Sequence, residues 1–382
     1  MPRQQLNNRD RIFGLDLMRA VAILMVLFAH CIWIFPAETG LFSQILALFG
    51  FFGVEIFFVL SGFLIGRILF RLYTDNDFNL KSIGYFLKRR WYRTFPNYFL
   101  VLLVNLLLAF IIGYQVEYGW AYFFFLQNFA STMPAFFPES WSLSVEEFAY
   151  IFLPFTLLLF AFITAPKYKT RIFLVATFML IGLSIFAKII YHYNTPNFSL
   201  DQWNLSLKAV VIYRLDSIFI GVFFSWIYSM YVDFWKRTKM TWFFLGTMMI
   251  GFFTFGVGYL QLTIEKYPFF WNVIYLPAAS VSIAFFLPML SEWKSEKSLI
   301  RKPVTFISLI SYSIYLLHYG VILQSLKHLF NTENMQTATV TIFTIGYLTL
   351  TIFLSYILYR FYERPMMDKR EKRASKVLST AK

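Results

Sequence analysis

The chain has 382 residues, 59% of them hydrophobic and 14% charged, with a mean hydropathy of +0.60 and a formal net charge of +14. Apolar runs of about 20 residues recur from one end to the other, which excludes an ordinary soluble globule and indicates a polytopic, all-α integral membrane protein. The positive charge alone would suit nucleic acid, but 28 of the 34 Lys and Arg residues fall in alternate loops and tails. That is the positive-inside pattern, so the partner expected from the charge is the lipid bilayer and not nucleic acid.

Ten spans are predicted, at residues 12–35, 45–70, 95–113, 148–165, 172–191, 209–231, 241–262, 269–291, 304–324 and 337–361. The loops opposite the basic ones hold only Lys208, Lys266 and Lys327. An even number of spans with this bias puts both termini in the cytoplasm. With no linker, low-complexity stretch or fixed-period repeat, residues 1–382 read as one transmembrane domain, with a core of about 12–365 and a basic tail at 366–382. No small-residue cleavage signal follows the first span, so it is expected to be retained. Cys31 is the sole cysteine, which rules out an intramolecular disulfide, and the four histidines show no metal-binding spacing.

The first span carries the most informative pair, Arg19 and His30, separated by ten residues without a polar side chain. Ionisable groups are costly in hydrocarbon and mark function when they occur there. Eleven helical steps return nearly to the starting face and cover roughly 16 Å, so the two groups look into one slot at different depths. Asp16 lies one turn from Arg19 and can pair with it, which is also how an interfacial anchor would look.

In the second span Glu55 is a carboxylate at a depth similar to His30, placed either to orient the imidazole or to be hydrogen-bonded in a polar cavity. Gly62 and Gly66, four apart, make a seam for close helix approach. Before the third span, Arg90 and Arg93 share a helical face and offer a fork suited to phosphate oxygens, although such a basic run also sets topology. On the outer side, the segment 120–148 is too short and polar to cross. It closes with Trp141, Ser142, Ser144, Glu146 and Glu147, either a capped helix start or a partly inserted loop that carries acid and hydroxyl groups toward His30. Further along, Arg214 and Asp216 form a candidate buried pair, His318 a candidate cavity residue, and Glu363 closes the last span.

Taken together these segments resemble the membrane acyltransferase-3 family. The resemblance rests on Arg19 and His30 as Arg-x10-His, on Leu60-Ser61-Gly62-Phe63-Leu64-Ile65, and on Arg90 and Arg93 as Arg-x-x-Arg. It also rests on Trp141-Ser142-Leu143-Ser144-Val145-Glu146-Glu147, Ser311-Tyr312-Ser313-Ile314-Tyr315-Leu316-Leu317-His318, and Glu363 with Pro365. The resemblance implies transfer of an acyl group, acetyl first among candidates, from cytoplasmic acyl-CoA to a hydroxyl of a saccharide, glycan or glycolipid at the outer face of a bacterial inner membrane. It implies no permanently bound cofactor and no metal. It implies Arg19, Arg90 and Arg93 around the donor and His30 as general base or transient acyl carrier, with Glu55, Glu146 and Glu147 beside it. Asp16, Trp141, Ser142, Ser144, Arg214, His318 and Glu363 are implied for acceptor contact or structural support. The chain ends soon after Glu363, as in the stand-alone members.

A proton-coupled transporter would also carry buried Arg, His and Glu, but the repeated halves with matching broken helices that carriers often show are not found. A structural scaffold would leave Arg19 and His30 unexplained.

Overall fold

Backbone in hydrocarbon must satisfy its own hydrogen bonds, and the apolar runs do so as helices. The computed structural model describes residues 11–34, 40–75, 78–163, 165–196, 199–294, 299–330 and 337–369, and among these no strand occurs. The helices are α1 (Phe13–Ala29), α2 (Leu41–Thr74), α3 (Leu80–Ile112), α4 (Trp141–Ile163), α5 (Lys169–Asn194) and α6 (Leu215–Met230). They continue with α7 (Lys239–Tyr259), α8 (Phe270–Glu292), α9 (Arg301–Leu317) and α10 (Thr337–Leu358).

Among the described residues, nine helical stretches are long and apolar enough to cross a membrane. The tenth expected span corresponds to α6, which has only 16 residues. It is short because its start is replaced by a 3₁₀ turn, Val211–Tyr213, followed by Arg214 at φ −120°, ψ −7°. It is also the buried centre of the bundle, so it does not need a span's full lipid-facing length. Gly62 and Gly66 of α2 and Gly221 of α6 form the contact between these two helices. A Cβ on Gly62 would stand 1.9 Å from the Ile218 carbonyl oxygen, and one on Gly221 would stand 2.2 Å from that of Val59. The glycine seam read in the sequence is therefore a close backbone approach. α1 packs against α2 on one side and α9 on the other, while Phe110, Ile111, Phe162 and Ile163 remain exposed at the ends of α3 and α4.

Two boundaries move far enough to matter. α3 starts at Leu80, where Asn79 accepts hydrogen bonds from the amides of Lys81 and Ser82, so Arg90 and Arg93 lie inside a 33-residue helix and not ahead of it. Arginine is tolerated there because that face meets a cavity and not lipid. α4 starts at Trp141, seven residues before the predicted start, so Trp141 to Glu147 are helical and do not form an inserted loop. The segment ahead of α4 is irregular yet packed. Tyr98 Oη donates to the Tyr122 carbonyl (2.8 Å), and the Asn128 amide donates to the carbonyls of Trp141 (3.1 Å) and Ala209 (2.5 Å).

Candidate active site

The arginines converge. Arg19 from α1 and Arg90 and Arg93 from α3 line one cavity, together with Ser61 of α2, Ser142, Glu146 and Tyr150 of α4, and Ser311, Tyr312 and Tyr315 of α9. The cavity encloses about 840 Å³ of empty space, its open mouth included. Asp16 accepts from Arg11 Nη2 (2.6 Å) and Arg19 Nη1 (3.1 Å), and Ser308 Oγ donates to the same carboxylate (3.0 Å) while accepting from Arg19 (3.0 Å). Arg19 is thus held from α1 and α9 at once. The Arg90 guanidinium lies 5.8 Å from the Tyr150 ring, and Tyr150 shares Glu146 with Ser61, whose Oγ donates at 2.5 Å.

Two of the three carboxylates expected near His30, Glu146 and Glu147, stand instead on the arginine side. Helical from Trp141, α4 carries Glu146 and Glu147 about 8 Å inward from its start. Glu147 accepts from Trp91 Nε1 (3.1 Å) and Thr94 Oγ1 (3.0 Å), bracing α4 to α3. Glu363, in the π-helical turn after α10, accepts from Asn97 (2.9 Å) and Ser313 (2.7 Å) and ties three helices together.

At the other end of the Arg19–His30 helix, α1 tightens into a 3₁₀ turn, His30–Ile34. His30 is partly exposed, and its Nδ1 lies 2.8 Å from the Val26 carbonyl oxygen. Beside it, at 3.3 Å, is Nε2 of His318. The two rings meet edge to face with centroids 4.6 Å apart, and Tyr319 closes on His30 at 5.0 Å. His318 is wholly buried and opens a π-helical turn, His318–Leu323, a distortion that often marks functional helices.

Glu55 does not meet His30. Its oxygens accept from Arg214 and from Ser280 Oγ (2.7 Å), and all three side chains are buried. Nor do Arg214 and Asp216 pair with each other as read from sequence, for Asp216 accepts from Lys188 at 2.5 Å. Their side chains leave the start of α6 in different directions, and the nearest counter-charges belong to α2 and α5. Ser142 meets Tyr315 Oη at 2.6 Å, Ser144 accepts from Gln127 at 2.8 Å, and the Trp141 ring stands edge to face with Phe58 at 5.6 Å.

One group escaped the sequence reading. Glu139, in the 3₁₀ turn before α4, is buried, with Oε1 accepting from the Gly320 amide (2.8 Å) and its carbonyl accepting from Tyr315 Oη (3.0 Å). The available signal was a carboxylate between Pro138 and Ser140 in a segment of aromatic residues. Among the described residues no cluster of three or more His, Cys, Asp or Glu is placed to hold a metal.

A Staphylococcus aureus (strain COL) protein named "Putative O-acetyltransferase" is 28% identical over 92% of this chain and 56% of its own length. "O-acetyltransferase OatA" of Staphylococcus aureus (strain NCTC 8325 / PS 47) is 24% identical over 93% of this chain and 57% of its own. A Bacillus subtilis (strain 168) protein named "Putative peptidoglycan O-acetyltransferase" is 28% identical over 47% of this chain and 28% of its own. The chain therefore spans little more than half the length of the first two relatives, and no solved structure matches it. The sequence profile described as an acyltransferase domain matches residues 12–360, nearly the whole described bundle, and the chain belongs to this acyltransferase-3 family.

Proposed function

We propose that the protein is a membrane O-acyltransferase that moves an acyl group, acetyl first among candidates, from acyl-CoA to a hydroxyl of a glycan-type acceptor. The observation that carries this reading is the placement of Arg19, Arg90 and Arg93 on one cavity while His30 lies eleven residues from Arg19 along the same helix, roughly 16 Å away. Guanidinium groups hold phosphate oxygens in forked pairs, so the arginine end suits the phosphates of coenzyme A. The pantetheine arm then runs past Ser61, Ser142 and Tyr315 toward His30. At that end the imidazole takes the acceptor's proton as the hydroxyl oxygen attacks the thioester carbonyl, the C–S bond breaks, and the thiolate leaves.

The relatives' names supply the acetyl group and, in one case, peptidoglycan as acceptor class. With the basic loops inward, the donor enters from the cytoplasm, the acceptor is met at the outer face, and a bacterial inner membrane is the setting. The test is mass spectrometry of envelope glycans from cells making the wild-type chain, His30→Gln, or neither. Gln keeps hydrogen-bonding capacity without titrating. Loss of O-acyl groups in the Gln strain at normal protein level supports the reading, and wild-type acylation by that strain overturns it.

A further inference from the structure

A carbonyl oxygen only accepts, so an imidazole nitrogen in hydrogen-bond contact with one carries the proton. His318 Nδ1 lies 2.7 Å from the Tyr315 carbonyl oxygen and 3.2 Å from that of Ile314. It is therefore the N–H nitrogen, and the neutral ring's lone pair sits on Nε2, 3.3 Å from His30 Nδ1. His30 Nδ1, held 2.8 Å from the Val26 carbonyl oxygen, is the N–H nitrogen of its own ring. Its proton is shared between that oxygen and His318 Nε2, an arrangement in which no two lone pairs face each other. The nitrogen left over is His30 Nε2, which has no hydrogen-bond partner among the described residues. The two rings also differ in access, since His318 is wholly buried and His30 is partly exposed.

We propose that His318 is a positioning residue whose neutral imidazole fixes the tautomer and aim of His30, making His30 Nε2 the working nitrogen. This rests on the acyl-transfer reading above. In the transfer, the acceptor O–H bond breaks and its proton goes to His30 Nε2, the O–C bond forms, and the C–S bond breaks. The same proton then passes from Nε2 to the thiolate, giving coenzyme A with a free thiol and a neutral His30. Throughout, Nδ1–H stays between Val26 and His318. His318 does not relay the proton onward, because its Nδ1–H abuts carbonyl oxygens that have no use for it. Proton uptake and return therefore both occur at one nitrogen of one ring, and His318 acts where a carboxylate stands in other catalytic dyads and triads.

Nitrogen-15 NMR of the full chain in lipid nanodiscs tests this directly, because only four histidines contribute and His192→Gln and His328→Gln assign two of them. At about pH 8, where imidazoles are neutral, both His30 and His318 are expected as Nδ1–H tautomers, with scalar coupling between His30 Nδ1 and His318 Nε2 across the hydrogen bond. An Nε2–H tautomer at His30 overturns the proposal whatever the protein's activity. The kinetic arm compares His318→Phe, which fills the site without a lone pair, with His318→Gln, whose amide oxygen reaches near the lost Nε2. Acetyl-CoA turnover, read as thiol release with envelope glycan as acceptor, should fall about 10²-fold in kcat for the Phe variant at unchanged KM for acetyl-CoA. The Gln variant should recover about tenfold of that. Equal kcat in the Phe and Gln variants would reduce His318 to packing. Absence of turnover in the wild type would defeat the acyl-transfer reading instead, leaving the tautomer spectrum to decide the pairing.

Discussion

Arg214 donates to Glu55, linking the residue just before α6 to the middle of α2, with both side chains about 1% exposed. Removing one member of such a pair leaves a buried charge without its contact partner, which typically costs about 3–5 kcal/mol, whereas removing both with apolar replacements is often neutral. Glu55→Gln should therefore lower the melting temperature markedly, and Glu55→Met with Arg214→Met should recover most of it. Thermal unfolding in detergent checks this. A Glu55→Gln chain with unchanged melting temperature and lost turnover would return Glu55 to the catalytic role read from the sequence.

That pair also shows where sequence reading stopped. Helix count and the glycine seam are periodic signals, legible because a helix repeats its faces every few residues. The partners of buried charges are not periodic. Arg214 and Asp216 are two apart in sequence, but Arg214 stands in the non-helical residue before α6 and Asp216 in its first turn, and they find Glu55 and Lys188 on neighbouring helices. Likewise the His318–His30 contact joins residues 288 apart in sequence, and Glu146 faces the arginines because α4 begins at Trp141, a boundary that the apolar run does not mark.

The seam makes a sharp stability prediction. Gly62→Ala would drive a methyl into the Ile218 carbonyl, and overpacking of this kind costs about 1–3 kcal/mol or more where backbone must move. Gly84→Ala, where a Cβ meets nothing within 4 Å, removes a helical glycine and should be neutral or stabilising by up to about 1 kcal/mol. Melting curves of the two variants should therefore move in opposite directions. Equal shifts would mean that α2 and α6 do not touch at this seam.

The 28 basic residues in alternate loops and tails lead to the expectation that both termini are cytoplasmic, and labelling tests it. Tyr85→Cys, at an exposed position near the start of α3, should react with a membrane-impermeant maleimide only after cells are opened, and Arg370→Cys in the tail should behave alike. The single native cysteine, Cys31, is buried and gives little background. Labelling of either cysteine in intact cells would invert the chain and carry the arginine cavity to the outer face.

The strongest claim on the donor end concerns Arg90 and Arg93. Arg19 is already held by Asp16 and Ser308, so the α3 arginines are the adaptable part of the cavity lining. A hydrogen bond to a charged group contributes about 1.5–3 kcal/mol, so Arg90→Ala or Arg93→Ala should weaken acyl-CoA binding by about 10- to 10²-fold each. Lys should rescue little, because it keeps the charge and loses the planar fork that meets two phosphate oxygens together. Titration of the purified variants with acetyl-CoA by calorimetry reads the affinity without requiring an acceptor. Should the double Ala variant bind with wild-type affinity, the basic run would serve topology alone and the donor phosphates would have to be sought elsewhere.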